Sequence, residues 1–287
     1  MLPNFLVLGI AKCGTTTLCN ALEKHPDIFI SHPKEPNYFN KAIYYKSSRI
    51  KYEALFDKSG ALPFRGEGSV GYTNPNRIHF IPKRIHEAVP DCRLIFMVRH
   101  PIKRMESEWK MHLRLGNTSQ NFIDSLQNDM MLYNHGLYWT ILSCYLKHFK
   151  KEQILVVFME DLNNAFDEQI TRVLKHIGAN TKHKLVSAQS NSAKSYRKDT
   201  GLSAFLKNIL GDGIKSRVPE SLKERFRGNI TKEWDYNINW SPEVYAEVAK
   251  YFTEDSQALL EYCGKSSDYW DFSFPTNAMN SHDKTKP

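Results

Sequence analysis

The chain has 287 residues, enough to bury one large mixed core. Its 39 lysines and arginines exceed its 31 aspartates and glutamates, and the net charge of +8 suits an anionic ligand. No basic block or interleaved aromatic–basic stripe sets up nucleic-acid binding, no apolar run is long enough to span a bilayer, and five cysteines without a C-x-x-C pair argue against a disulfide framework or a zinc site.

Phe5 to Ile10 is an apolar run that predicts a strand buried on both faces. It ends in a loop holding Gly9, Lys12, Cys13 and Gly14, followed by Thr15, Thr16 and Thr17 and a helical pattern over Thr16 to Glu23. A strand feeding a glycine loop that opens a helix makes an anion site, because the first amides of the helix lack internal acceptors and carry the positive end of its dipole. Gly9 and Gly14 have the spacing of the nucleoside-triphosphate loop G-x-x-x-x-G-K-[ST], but Thr15 stands where that pattern needs lysine. A tight turn with a threonine cap is the plainer alternative.

Ile28 to Ile30 predicts a short strand, and Ser31 to Phe39 (SHPKEPNYF) an extended loop set by Pro33 and Pro36. Arg49 to Phe56 holds a helical turn, and Gly66 to Asn76 is a polar stretch with Glu67, Ser69 and Tyr72. Asn76 to Ala88 predicts a helix with Ile78, Ile81 and Ile85 on one face. Leu94 to Val98 predicts a second buried strand, with Arg99 at its carboxyl end, Pro101 in the first turn of the next helix and Ser107 eight positions after the arginine. Helices follow near Lys103 to Leu115, Ile123 to Met131 and Leu137 to Phe149, the last opened by Gly136-Leu137-Tyr138. Ile154 to Phe158 is another strand, and Phe166 to Ile177 a helix burying Ile170, Val173, Leu174 and Ile177. Ser187 to Thr200 lacks apolar periodicity, Pro242 to Tyr262 predicts a long helix, and Asn277 to Pro287 reads as a disordered tail. The alternation predicts an α/β fold, three layers around a mainly parallel sheet, in one domain over 1–276. Ligands of such sheets sit at the carboxyl ends of strands, where both Lys12 and Arg99 stand.

Lys12-Cys13-Gly14-Thr15-Thr16 resembles the 5′-phosphosulfate loop of sulfotransferases that use 3′-phosphoadenosine 5′-phosphosulfate (PAPS), which have a P-loop-like fold. The resemblance implies that Lys12, Cys13, Gly14, Thr15, Thr16 and Thr17 hold the 5′ end of the cofactor. It implies that Arg99 and Ser107 hold the 3′-phosphate, with a planar fork and a hydroxyl. The Lys34-Glu35-Pro36 segment resembles that of the heparan-sulfate-type branch, where the glutamate is the general base; Glu35 inherits that role, with Lys34 as its electrostatic partner. His32 is the runner-up base and His100 a third. Glu67, Ser69 and Tyr72 match a stretch that lines the acceptor side; Tyr38 and Tyr138 are further acceptor candidates. Tyr196, Arg197 and Lys198 are the candidates for a loop that closes over the 3′-phosphate.

These roles imply in-line transfer of a sulfuryl group to a hydroxyl or amine, with release of adenosine 3′,5′-bisphosphate (PAP) and no metal. The expected acceptor is a small metabolite or natural product, with a carbohydrate as the alternative. No leader or anchor is visible in the sequence, and the expectation is a cytoplasmic enzyme. A P-loop small-molecule kinase shares the strand–loop–helix start, and a non-catalytic polyanion binder shares the charge; the first predicts ATP and magnesium dependence, the second steep salt dependence without group transfer.

Overall fold

The structure, a computed structural model, describes residues 1–41, 45–119, 121–186, 197–199, 231–233 and 238–275. Five strands, β1 (Phe5–Gly9), β2 (Ile28–Ile30), β3 (Phe64–Glu67), β4 (Arg93–Val98) and β5 (Ile154–Phe158), form one sheet in the order β2-β3-β1-β4-β5. Every pairing in it is parallel. The apolar runs make this possible: all of β1 is buried, as is β4 after Arg93. Helices flank the sheet, as parallel crossovers require. They are α1 (Thr15–Leu22), α2 (Arg49–Ala54), α3 (Ile81–Ala88), α4 (Pro101–Leu115), α5 (Phe122–Asn128), α6 (Met130–Asn134), α7 (Tyr138–Leu146), α8 (Met159–Asn164), α9 (Phe166–Ile177) and α10 (Pro242–Tyr262). A separate antiparallel pair joins β6 (Arg197–Asp199) to β7 (Thr231–Glu233).

Several boundaries differ from the sequence reading. β3 was not expected, because Phe-Arg-Gly-Glu has no apolar alternation. Its Gly66 is required by packing: a Cβ there would lie 2.2 Å from the Phe5 ring, which crosses the strand at that point. The helix expected from Asn76 starts only at Ile81, with Pro82 in its first turn, the place where a missing N–H costs nothing. The helix expected over Ile123 to Met131 is two: Asp129 interrupts it and caps α6, accepting from the Met131 amide at 2.9 Å. The polar stretch from Ser187 and the tail from Asn277 fall outside the described residues, apart from the backbone of Arg197–Asp199.

The chain leaves β1 toward β2 on one side of the sheet and leaves β4 toward β5 on the other. The crevice where the order reverses therefore lies beyond the carboxyl ends of β1 and β4. In register, Gly9 pairs with Met97, so the loops after Gly9 and Val98 emerge side by side. A second core cluster, with Ile102, Met105 and Trp109 of α4 against Phe122, Tyr245 and Phe252, anchors α4 to α5 and α10. Within it Arg104 and Glu108, one turn apart and both buried, form an ion pair that also engages the Leu132 carbonyl and His135.

Candidate active site

The loop after β1 is held in an unusual backbone shape. Gly9 abuts the next strand so closely that a Cβ would lie 2.7 Å from Met97 Cβ. Lys12, with φ 75, and Gly14, with φ 88, both occupy the left-handed region. For a lysine that conformation is strained, a condition found at sites where the backbone must curl around a ligand. Gly14 caps α1 without a side-chain bond, so the amides that open the helix at Thr15, Thr16 and Thr17 face the mouth of the crevice unsatisfied by the helix itself. Thr15 is buried, Thr17 half-buried and Thr16 exposed.

Arg99, at the end of β4, donates from Nη1 to the Lys12 carbonyl at 3.4 Å, so the loop after β1 meets the end of β4. Lys12 is held below the usual lysine range, by burial first and then by the Arg114 and Arg99 charges, with Glu108 opposing. Cations that repel one another around a half-buried ammonium and a helix N-terminus fit a multiply charged anion, and the chemistry of the donor set suits phosphate and sulfate oxygens. Ser107 is half-buried on α4, two turns from Arg114 and on the same helix face. The Arg99–α4 turn is fixed by Glu160, which accepts from the His100 amide at 2.8 Å.

Lys34 connects this loop to the Lys-Glu-Pro segment. Its Nζ donates to Thr15 Oγ1 at 3.3 Å and to Glu35 Oε1 at 3.1 Å. The Glu35 carboxylate, 36% exposed, thus stands beside the phosphate loop and open to solvent. His32 is elsewhere: its exposed ring pairs with Glu23, at 2.5 Å. Glu23 is the C-terminal cap of α1, about 12 Å along the helix axis from Thr15. His100 is buried, its Nε2 donating to the Asp271 carbonyl at 2.8 Å, and burial holds it below the usual histidine range.

The acceptor-side expectations need correction. Tyr38, Glu67, Ser69, Tyr72 and Tyr138 are all buried, so none lines an open cleft. Tyr138 braces the phosphate loop from behind, with Oη 3.7 Å from Cys13 Sγ, and burial pushes the Cys13 thiol up to about 12. Cys13 therefore points into the protein and only its backbone faces the site. Tyr38 stacks on Tyr52 at 4.2 Å within an aromatic cluster. Glu67 accepts from Tyr52 Oη at 2.8 Å, Ser69 Oγ at 2.6 Å and Tyr72 Oη at 2.6 Å. Burial pushes its carboxyl up to about 7 against the opposing pull of those hydroxyls. Tyr52, Thr73 and Glu160 were not foreseen; Thr73, for instance, donates to the Gly9 carbonyl at 3.0 Å. These contacts join residues far apart in sequence and leave no spacing signal. Tyr196 lies outside the described residues, and Arg197 and Lys198 are described only as backbone of β6, which runs beside α4.

A cleft of about 530 Å³ along the β5 edge, lined in part by Lys151, Phe158, Arg172 and Lys265, shares no residue with this cluster. Among the described residues no helix is long and apolar enough to cross a membrane.

Comparisons with known proteins agree on one family. The family model described as a sulfotransferase domain matches residues 2–264. Heparan sulfate glucosamine 3-O-sulfotransferase 6 of Homo sapiens is 26% identical over 186 residues, which is 61% of this chain and 52% of that protein. The membrane-associated sulfotransferase kil1 of Dictyostelium discoideum is 33% identical over 117 residues, 39% of this chain and 24% of that protein. The chain thus spans about a quarter to a half of the length of these relatives. Among solved structures, a sulfotransferase from Alicyclobacillus acidocaldarius superposes with a TM-score of 0.68 at 21% identity, covering 94% of this chain and 99% of that one. At that identity the likeness shows the fold, a parallel sheet with a P-loop-like start.

Proposed function

The chain belongs to the sulfotransferase domain family, and from that premise we propose that it transfers a sulfuryl group from PAPS to a hydroxyl or amine of an acceptor and releases PAP. One observation carries this reading: the Lys34 ammonium touches both Thr15 of the phosphate loop and the Glu35 carboxylate, so a candidate base stands beside the anion site. We propose that residues 1–276 work as one unit and that the acceptor is a small molecule or a saccharide. The resemblance of the Lys-Glu-Pro segment to the heparan-sulfate branch favours a sugar hydroxyl or amine; a natural-product scaffold is the second class. The cysteines carry free thiols, which supports a reducing compartment, and we assign the reaction to the cytoplasm.

PAPS, when bound, supplies an activated sulfuryl group on a phosphate leaving group. Arg99 and Ser107 would take the 3′-phosphate, and we propose Arg197 and Lys198 of β6, which runs beside α4, as further cations for it. Lys12 and the amides at Gly14 to Thr17 take the 5′ end. Glu35 accepts the acceptor's proton as the new O–S or N–S bond forms. Lys12 and the loop amides would hold the 5′ phosphate and stabilise negative charge there. Lys34 holds Thr15 and Glu35 at a fixed separation, which places base and leaving group in one frame.

Incubation with PAPS and a panel of sugars and small hydroxylated or aminated metabolites tests the reading. The expected result is PAP release with a mass gain of about 80 Da on the acceptor, the mass of a transferred SO₃ group. Calorimetry that fails to distinguish PAP from AMP would remove the reading.

A further inference from the structure

We infer that Glu67 is a positioning residue for the base, acting through Ser69 and Tyr72 on the backbone of residues 34–39. The inference rests on the reading of Glu35 as the base. Residues 34–39 contain no helix or strand that could fix them. Tyr38 and Phe39 pack against Tyr52, Arg84 donates to the Phe39 carbonyl at 3.2 Å, and the backbone amides are held by the segment after β3. Gly68 N donates to the Lys34 carbonyl at 3.2 Å. Ser69 Oγ accepts from Asn37 N at 3.1 Å, and Tyr72 Oη accepts from Tyr38 N at 3.0 Å and Phe39 N at 3.4 Å. Asn37, with φ 51, turns the chain there, and its Nδ2 donates back to the Glu35 carbonyl at 3.2 Å.

Both hydroxyls face amide donors, so each must send its single proton elsewhere. Glu67 receives both, Ser69 on Oε2 and Tyr72 on Oε1, and takes a third from Tyr52. An ionised carboxylate only accepts, so it sets the direction of the whole array. A glutamine at this position would turn an N–H₂ toward one hydroxyl, which would then face two donors and strand its own proton in the core. Glu67 is fully buried, so it cannot touch substrate, and its effect on the reaction passes through the loop.

The test uses the 287-residue chain with Tyr72→Phe, Ser69→Ala, Ser69→Thr and Glu67→Gln. Amide hydrogen exchange at 37–39 is expected to rise about tenfold or more in Tyr72→Phe and Ser69→Ala. Their kcat should fall about tenfold to a hundredfold, while the Kd for PAP stays within about twofold, because the phosphate loop is untouched. Ser69→Thr, which keeps a hydroxyl, should restore both exchange and kcat. A folded Tyr72→Phe protein with wild-type exchange and kcat overturns the inference. So does a kcat that falls in step with PAP affinity, which would mark a general loss of structure. If Glu67→Gln does not fold, Tyr72→Phe and the Ser69 pair decide the matter. Absence of PAPS turnover in the wild type would remove the proposed function, and the exchange measurement would still decide whether Glu67 holds the loop.

Discussion

The loop after β1 and the Lys34-Glu35-Pro36 segment lie side by side yet are built in different ways. Residues 9–17 follow a pattern of their own sequence, a buried strand, two left-handed residues and a helix start, and Thr73 and Arg99 brace its carbonyls at Gly9 and Lys12. Residues 34–39 have no regular structure and are shaped from outside, by side chains and amides of residues 68–72 that hang from one buried carboxyl group. On the proposed roles, a site assembled this way would separate binding from chemistry. In the loop after β1 the backbone shape is set by its own residues and braced by distant groups, whereas the amides of residues 37–39 depend on a hydrogen-bond array in the core.

The sharpest way to break that comparison is to remove each function alone. Glu35→Gln should lower kcat by about 10²- to 10⁴-fold, the usual contribution of a general base, with PAP affinity by calorimetry unchanged. If PAP affinity falls as well, the two regions are not separable. Lys12→Ala should lose about 3–4 kcal/mol of transition-state stabilisation, read as kcat/KM for PAPS, on the scale of a lost oxyanion donor.

The pH dependence of stability sharpens the comparison from the side of the core. Glu67 binds its proton more tightly folded than unfolded, since burial lifts it from an ordinary value of 4.5 to about 7. Its contribution to stability is therefore full below pH 4.5 and is lost as pH rises through about 7. The change is on the order of 3 kcal/mol. The titratable groups facing it are Tyr52, Tyr72, Tyr145, Cys19, Cys92 and Glu35, and burial pushes the tyrosines and thiols upward, so they stay neutral over this range. Denaturant melts at pH 5 and pH 8 should show this slope in the wild type and its loss in Glu67→Gln. If Glu67 orients the loop as inferred, its ionised state is the less stable one, a pattern expected where function competes with stability.

Arg99→Ala should weaken PAP by about 1.5–3 kcal/mol while leaving AMP nearly unaffected, because only PAP presents the 3′-phosphate. The smallest effect belongs to Tyr138→Phe, which removes the contact to Cys13 and should cost about 0.5–1 kcal/mol of stability in a thermal melt, with kcat unchanged.

The sequence carried the parts whose physics is local. The apolar runs of β1, β4 and β5 announce a parallel sheet because strands buried on both faces must be apolar throughout. Glycine, lysine and threonine at the end of a strand announce an anion site because the amides of a helix start need a partner. Tertiary structure alone decided the rest. β3 shows no strand pattern, since Gly66 serves the ring of Phe5, a residue 61 positions away. Glu67, Ser69 and Tyr72 look like polar acceptor contacts in the sequence, yet the fold buries all three and turns them on the loop that carries Glu35. A polar residue announces only that it will find hydrogen-bond partners; whether they are substrate or core is fixed when distant segments meet.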